Sequence, residues 1–66
     1  MQTEHAIEFL NKMCNVQVET FYDEDGYFYV TSRNRVTQEP ITWYFGTTLQ
    51  MALDGLVRDT IHHFQR

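Results

Sequence analysis

The chain has 66 residues, a single cysteine and a formal net charge of −4. A chain of this length forms one domain, which buries only ~60% of the surface that the unfolded chain exposes. One cysteine excludes both an intrachain disulfide and a metal site made of paired cysteines, the usual staples of small domains. The first residues lack the apolar core of a signal peptide, and no stretch reaches the ~20 apolar residues of a membrane span. We therefore expect residues 1–66 to form one cytoplasmic domain with no membrane segment.

Acidic residues are concentrated in the first half of the chain. Residues 1–32 contain six acids and one lysine, whereas residues 33–66 contain four arginines and three acids. The first half repels phosphate backbones, which disfavours nucleic-acid binding. An acidic surface keeps a small protein soluble, and it also attracts a basic protein partner.

The first predicted element is a helix over Glu4–Cys14. Thr3 is suited to its N-cap, and Glu4 in the first turn is favoured by the helix dipole. Its apolar residues follow at helical spacing: Ala6, Ile7, Leu10, Met13 and Cys14. Asn15 tolerates the left-handed conformation that often ends a helix. Because so short a helix is unstable alone, it must pack on the rest of the domain.

Three short β-rich segments follow. Val16–Tyr22 alternates between two faces, and Tyr27–Thr31 is rich in aromatic and β-branched residues. Between them, Asp23-Glu-Asp-Gly26 combines an aspartate at the start of a turn with a glycine that adopts positive φ easily, which predicts a hairpin. Ser32–Gln38 is polar and is predicted to be a loop or an irregular edge. Ile41–Phe45 alternates again and forms the third predicted strand.

The last predicted element is an amphipathic helix that ends at Phe64. Thr47 and Gln50 have the spacing of a capping box at its start. The residues expected on its buried side recur at steps of three and four: Leu49, Ala52, Leu53, Leu56, Val57, Thr60, Ile61 and Phe64. Gly55 is expected on the outer half, where it is either merely tolerated or marks the close approach of another backbone.

This order of elements predicts an α+β fold of the type α-β-β-β-α. An N-terminal helix precedes a three-stranded antiparallel β-meander, and the C-terminal amphipathic helix packs on the sheet. One Trp, four Tyr and five Phe are more than one helix on such a sheet easily covers. Some of these rings should be exposed or lie in an interface, which favours a homodimer.

Strand alternation indicates a partner-binding surface. The residues expected to face the core are Phe28, Val30, Ile41, Trp43 and Phe45. The tyrosines that then emerge on the other face of the sheet are Tyr27, Tyr29 and Tyr44, unless they pack under the first helix. Rigid aromatic side chains with polar tips are frequent in interfaces. The predicted partner-binding site combines them with the acidic turn: Asp23, Glu24, Asp25, Tyr27, Tyr29 and Tyr44.

The leading hypothesis is a non-enzymatic interaction module, a small cytosolic protein of bacterial or phage type that binds itself or a basic protein partner. The alternative hypothesis is a small-ligand or nucleic-acid accessory protein that uses Tyr27, Tyr29, Trp43 and the Arg33/Arg35 loop. Salt dependence separates the two, because phosphate contacts weaken steeply with added salt.

No catalytic residue, cofactor site or metal site is predicted. His62 and His63 are adjacent on a helix and point about 100° apart, so they do not present two ligands together. The acidic turn differs from a calcium-binding loop in the position of its glycine and in having Asn34 where a bidentate acid is needed. Cys14 has no flanking base and is expected to be a small core residue.

Two segments carry a resemblance to a known family. Asp23-Glu-Asp-Gly-Tyr-Phe-Tyr-Val30 resembles the acidic hairpin and following strand of HicB-like domains. The pattern Gly46-x-Thr48-Leu49-x-x-Ala52-Leu53 resembles the start of their next helix, whose stripe continues with Ile61 and Phe64. The resemblance covers Val18 to Phe64 and implies a small α/β fold and an antitoxin that binds and masks a basic ribonuclease toxin. The N-terminal helix and the segment Thr31–Pro40 differ from the family pattern.

Overall fold

The predicted order of elements is confirmed by the computed structural model, which describes residues 2–65. The five elements are α1 (Thr3–Met13), β1 (Val16–Tyr22), β2 (Phe28–Asn34), β3 (Pro40–Gly46) and α2 (Leu49–Phe64). The strands form one antiparallel sheet in the order β1-β2-β3. The fold is therefore α+β, with the topology α-β-β-β-α.

Two left-handed residues reverse the chain where the sequence predicted it. Asn15 follows α1 with a φ of 55°, and Gly26 in the β1–β2 turn has a φ of 88°. A third residue with positive φ, Gln38 at 65°, lies in the β2–β3 loop. Asn34 organises that loop, because its side-chain oxygen accepts the backbone amides of Val36 at 2.8 Å and Thr37 at 3.0 Å. The loop is thereby fixed by local hydrogen bonds.

Strand β2 is longer than predicted, because the first three residues of Ser32–Gln38, which was predicted to be a loop or an irregular edge, continue the strand, with a register shift between Ser32 and Arg33. Ser32 pairs with Val18 on one side and Thr42 on the other. Its side chain is fully buried, and its hydroxyl lies 3.1 Å from the Thr60 hydroxyl of α2. A buried hydroxyl costs little when it has such a partner. The polarity of the segment therefore did not prevent it from forming a strand.

Both helices cover the same face of the sheet, here called the inner face. The hydrophobic core consists of Ala6, Leu10, Val16, Val30, Ala52, Leu53, Leu56 and Val57. Helix α1 packs on β1, α2 packs on β2 and β3, and the two helices touch each other. The opposite face, here called the outer face, carries the alternate residues of each strand.

The helix caps lie one residue away from their predicted positions. Helix α1 has Gln2 as its N-cap rather than Thr3, and Gln2 makes no capping hydrogen bond through its side chain. The Thr3 hydroxyl instead donates to Gln50 Oε1 at 3.0 Å, which links the starts of the two helices. The N-cap of α2 is Thr48 rather than Thr47, and its hydroxyl accepts the Met51 amide at 3.1 Å. Because the N-cap is Thr48 and not Thr47, the start of α2 differs from the predicted capping box of Thr47 and Gln50.

Two residues of α2 have a different environment from the predicted one. Gly55 is buried rather than on the outer half. A Cβ atom at Gly55 would overlap the Tyr44 ring, whose Cγ lies 2.7 Å from that position. Phe64 was predicted to be buried but is 52% exposed at the end of α2. Five residues of the predicted stripe, Ala52, Leu53, Leu56, Val57 and Thr60, are buried as predicted.

We predict that Leu56→Ala lowers the free energy of unfolding by ~2 to 5 kcal/mol, because Leu56 is completely buried and the cavity cannot collapse fully. This is comparable to the whole stability of a small domain. Urea denaturation followed by circular dichroism measures the loss. His62→Ala, at an exposed position of the same helix, serves as the control and should stay within ~0.5 kcal/mol of the parent. Equal midpoints for both variants would contradict the burial of the stripe.

We also predict that Gly55→Ala destabilises the fold, although alanine favours helix by about 1 kcal/mol. The new methyl group overlaps the Tyr44 ring, so a net loss of ~1 to 3 kcal/mol is expected from overpacking. In a Tyr44→Ala background the ring is absent, and Gly55→Ala should then stabilise by ~0.5 to 1 kcal/mol. A double-mutant cycle by urea unfolding checks this change of sign. The same sign in both backgrounds would show that the ring does not constrain Gly55.

Candidate protein-interaction site

The outer face of the sheet is organised in three rows that run across the strands. At the end nearest the β1–β2 hairpin, Phe21, Tyr29 and Phe45 lie side by side. The middle row contains Glu19, Thr31 and Trp43, and the row farthest from the hairpin contains Gln17 and Arg33, with Pro40 beside them. The face is therefore aromatic near the hairpin and polar at its far end.

Three rings of these rows and the neighbouring Tyr27 form a continuous group, here called the aromatic cluster, which consists of Tyr27, Tyr29, Trp43 and Phe45. Phe45 stacks on Tyr29 with ring centroids 5.9 Å apart and on Trp43 at 6.1 Å. Tyr27 meets the edge of Phe45 at 5.9 Å. Such offset and edge contacts add stability beyond the area that they bury. The rings hold one another in place before any partner arrives.

The aromatic cluster is open to solvent. Trp43 is 58% exposed, Phe45 47% and the neighbouring Phe21 55%. Isolated exposed apolar residues are ordinary, but contiguous rings on one face of a sheet indicate an interaction surface. The sequence prediction had assigned Trp43 and Phe45 to the core, and this was wrong.

The error arose from the phase of β3, and it also affects Tyr44. The register shifts between Ser32 and Arg33, so that Ile41 falls between the paired residues Pro40 and Thr42. Ile41 packs against the core as predicted, but the shift also places Tyr44 on the inner face. A β-bulge of this kind changes which side chains share a face.

Tyr44 therefore does not share a face with Tyr29, as the sequence prediction placed it, although its ring stacks on Phe45 with centroids 6.2 Å apart and borders the same surface pocket as Tyr27. Its ring lies against Gly55, and the Arg58 guanidinium lies 5.4 Å from the ring centroid. The hydroxyl of Tyr44, by hydrogen bonding, raises the pKa of Arg58 above its usual value, with a smaller contribution from Asp59. Tyr44 is thus a structural residue of the β3–α2 contact rather than a member of the outer face.

The three acids of the hairpin have different environments. One oxygen of Asp23 accepts the backbone amides of Asp25 at 3.1 Å and Tyr27 at 2.8 Å, so Asp23 builds the turn. Glu24 and Asp25 are exposed. The pKa of the Tyr29 hydroxyl is raised, first by desolvation and then by its hydrogen bond with Asp23 and the negative charge there. The acidic turn and the aromatic cluster are therefore adjacent, because Asp23 accepts the backbone amide of Tyr27.

The arginines of the alternative hypothesis are engaged within the protein. Arg33 Nη1 donates to the Gln38 carbonyl at 2.7 Å, and Arg33 Nε lies 3.4 Å from Glu19 Oε1. Arg35 donates to the Val16 carbonyl at 3.4 Å. With Glu19 beside Arg33 and three acids at the hairpin end, the outer face does not form a positive groove that tracks a phosphate backbone.

The other sequence candidates do not form a site. Among residues 2–65, no three His, Cys, Asp or Glu side chains gather in a way that would hold a metal ion. Burial raises the pKa of the Cys14 thiol, which makes it a weaker nucleophile. Within the same range, no helix is long and apolar enough to cross a membrane.

Comparisons with known proteins add no relative. A scan against protein-family models, a search of curated proteins and a search of solved structures each gave no match to this chain. The HicB-like resemblance therefore stays a prediction.

We predict that Asp23 differs from its acidic neighbours in stability. Asp23→Ala removes the acceptor of two backbone amides and should lower the free energy of unfolding by ~1 to 2 kcal/mol. Asp25→Ala removes an exposed carboxylate from the same turn and should stay within ~0.5 kcal/mol of the parent. Thermal and urea unfolding of the two variants measure the difference. Equal stabilities would mean that the turn does not depend on the Asp23 carboxylate.

Proposed function

We propose that the protein is a non-enzymatic interaction module that binds another protein surface through the outer face of its sheet. The observation that carries this proposal is the aromatic cluster, preassembled by its own ring contacts and left open beside the acidic hairpin. Clustered aromatic side chains supply most of the binding energy in many protein interfaces. They lose little conformational entropy because neighbouring rings already restrict them.

The surroundings of the aromatic cluster favour a protein partner over a nucleic acid. Stacked rings alone suit unpaired bases, but such sites also need cations along the backbone path. Here Glu24 and Asp25 lie exposed at one end, and Arg33 is bonded to Glu19 at the other. A basic protein surface is complementary to the hairpin end, as in the antitoxin-like role that the HicB-like resemblance implies. A second copy of this chain is the other protein surface that the module is proposed to bind.

The proposed division of roles is that the rings provide affinity and the acids provide steering. Apolar contacts between desolvated rings mainly slow dissociation, whereas exposed charges such as Glu24 and Asp25 mainly speed encounter. Neutralising these two acids should therefore flatten the salt dependence of association without destabilising the turn, since Asp23 remains in place. The proposed site accordingly consists of Tyr27, Tyr29, Trp43 and Phe45 with Glu24 and Asp25. Tyr44 is not part of it.

We predict that binding depends on Phe45 and not on Phe64, an aromatic residue of similar exposure on a different surface. Phe45 is 47% exposed on the outer face, and Phe64 is 52% exposed at the end of α2. Phe45→Thr should weaken binding by about tenfold or more, as expected for a ring at the centre of an interface. Phe64→Thr should change binding less than threefold, within the effect of an ordinary surface position.

The test uses the parent protein and the two variants as immobilised baits in a bacterial lysate. Captured proteins, including free copies of this chain, are quantified by mass spectrometry, and circular dichroism verifies that each bait is folded. Loss of captured protein on the Phe45→Thr bait alone supports the proposal. Equal capture by all three baits, or no capture by the parent, would contradict it.

A further inference from the structure

We infer that the outer face binds a second copy of this chain, with the two sheets stacked face to face and their strands antiparallel. The inference rests on the proposed function and names its partner. It follows from the size of the open face and from the way charge is distributed along the sheet.

The size of the face suits a small symmetric dimer. Aromatic side chains have surfaces of ~150–250 Å², so the exposed parts of Phe21, Tyr27, Trp43 and Phe45 amount to on the order of 400 Å² per copy. Two copies, together with the polar rows, would bury about 1,000 Å² or slightly more, where specific interfaces begin. A domain of 66 residues without a disulfide gains stability from such burial.

Charge along the strands selects the orientation. The hairpin end carries three acids, Asp23, Glu24 and Asp25, whereas the far end carries Arg33, which is paired with Glu19 of the middle row, and Arg35 against Glu39. Two sheets that stack face to face with two-fold symmetry have either parallel or antiparallel strands. Parallel stacking puts one acidic hairpin over the other. Antiparallel stacking puts each hairpin over the positive end of its partner, and opposite charges across the rim favour this arrangement.

The antiparallel arrangement also places the rings well. With the two-fold axis through the middle row, Trp43 of one copy packs against Trp43 of the other near the axis. The Phe21, Tyr29 and Phe45 row then covers the partner row that contains Arg33, and guanidinium groups stack favourably on aromatic rings. Sheets stacked in this way lie ~10 Å apart, a distance that side chains of this size fill.

The experiment is a charge reversal at the hairpin, read out by sedimentation equilibrium from low to high micromolar protein at low salt. The double variant Glu24→Lys with Asp25→Lys leaves Asp23 to build the turn and brings the formal net charge from −4 to zero. Loss of net charge by itself favours association. The antiparallel dimer nevertheless predicts a dissociation constant raised by about tenfold, because the hairpin then faces a positive end.

Two further variants complete the test. Adding Arg35→Glu to the double variant restores opposite charges at both rims and should return the dissociation constant to within about threefold of the parent. Glu4→Lys with Glu8→Lys makes the same change of net charge on α1, away from the outer face, and should not weaken the dimer. Three results together support the inference. The dissociation constant rises for the hairpin reversal, returns towards the parent value when Arg35→Glu is added, and does not rise for the α1 control.

Other results overturn it. Stronger association of the hairpin reversal would contradict the antiparallel arrangement, and a monomeric parent at all concentrations would exclude the dimer. If the parent is monomeric but the parent bait captures a basic protein that the Phe45→Thr bait does not capture, the proposed function stands and its partner is that basic protein. A dimer that is indifferent to Phe45→Thr would contradict both the inference and the use of the outer face.

Discussion

The contact between Gly55 and the Tyr44 ring determines which residues of β3 face the core. Because Gly55 has no side chain, α2 can lie directly on the ring, and a methyl group there would overlap it. Tyr44 is thereby held on the inner face. Its neighbours Trp43 and Phe45 must then point to the outer face, since successive side chains of a strand alternate. The exposed aromatic cluster therefore depends on one glycine in a helix together with the register shift of β3.

The inner face is small and shows how little apolar surface a domain of this length can enclose. Four of its eight core residues come from α2, and only Val16 and Val30 come from the sheet. The Ser32 and Thr60 hydroxyls occupy part of the remaining volume and satisfy each other at 3.1 Å. This pair also opposes a rotation of α2, because a rotated helix would break the hydrogen bond between the buried Thr60 and Ser32 hydroxyls. The molecule therefore combines a modest core with specific polar and steric contacts that hold α2 in one position.

Local signals in the sequence were sufficient for the order of elements and for most of the core. The periodicity of α2 identified Leu53 and Leu56, and the turn chemistry identified Gly26 and Asn15 as left-handed residues. These predictions depend only on neighbouring residues, which is why they could be made. The length of β2 could not be read in this way, because Ser32 is stabilised by Thr60, a residue 28 positions away.

Part of the candidate site was also predictable, because it depends on patterns within one strand or one turn. Tyr29 and the acidic turn were identified because alternation within one strand and turn composition are local. The phase of β3 depends on a register shift opposite Arg33 and on Gly55 in another element, and neither is visible in the strand itself. A prediction that counts alternate residues from Ile41 therefore assigns Trp43 to the inner face and Tyr44 to the outer face, the reverse of what the structure has. Phe21 could have been found by aligning the first hairpin across its turn, which places it opposite Tyr29.

The position of Trp43 has a practical consequence for spectroscopy. It is the only tryptophan of the chain, and in the folded monomer more than half of it is in contact with water. Its emission should therefore be red-shifted in the native monomer and should change little when the chain unfolds. Fluorescence is then a poor probe of folding in this protein but a sensitive probe of whatever covers the sheet. A blue shift or protection from an aqueous quencher would report directly on occupation of the outer face.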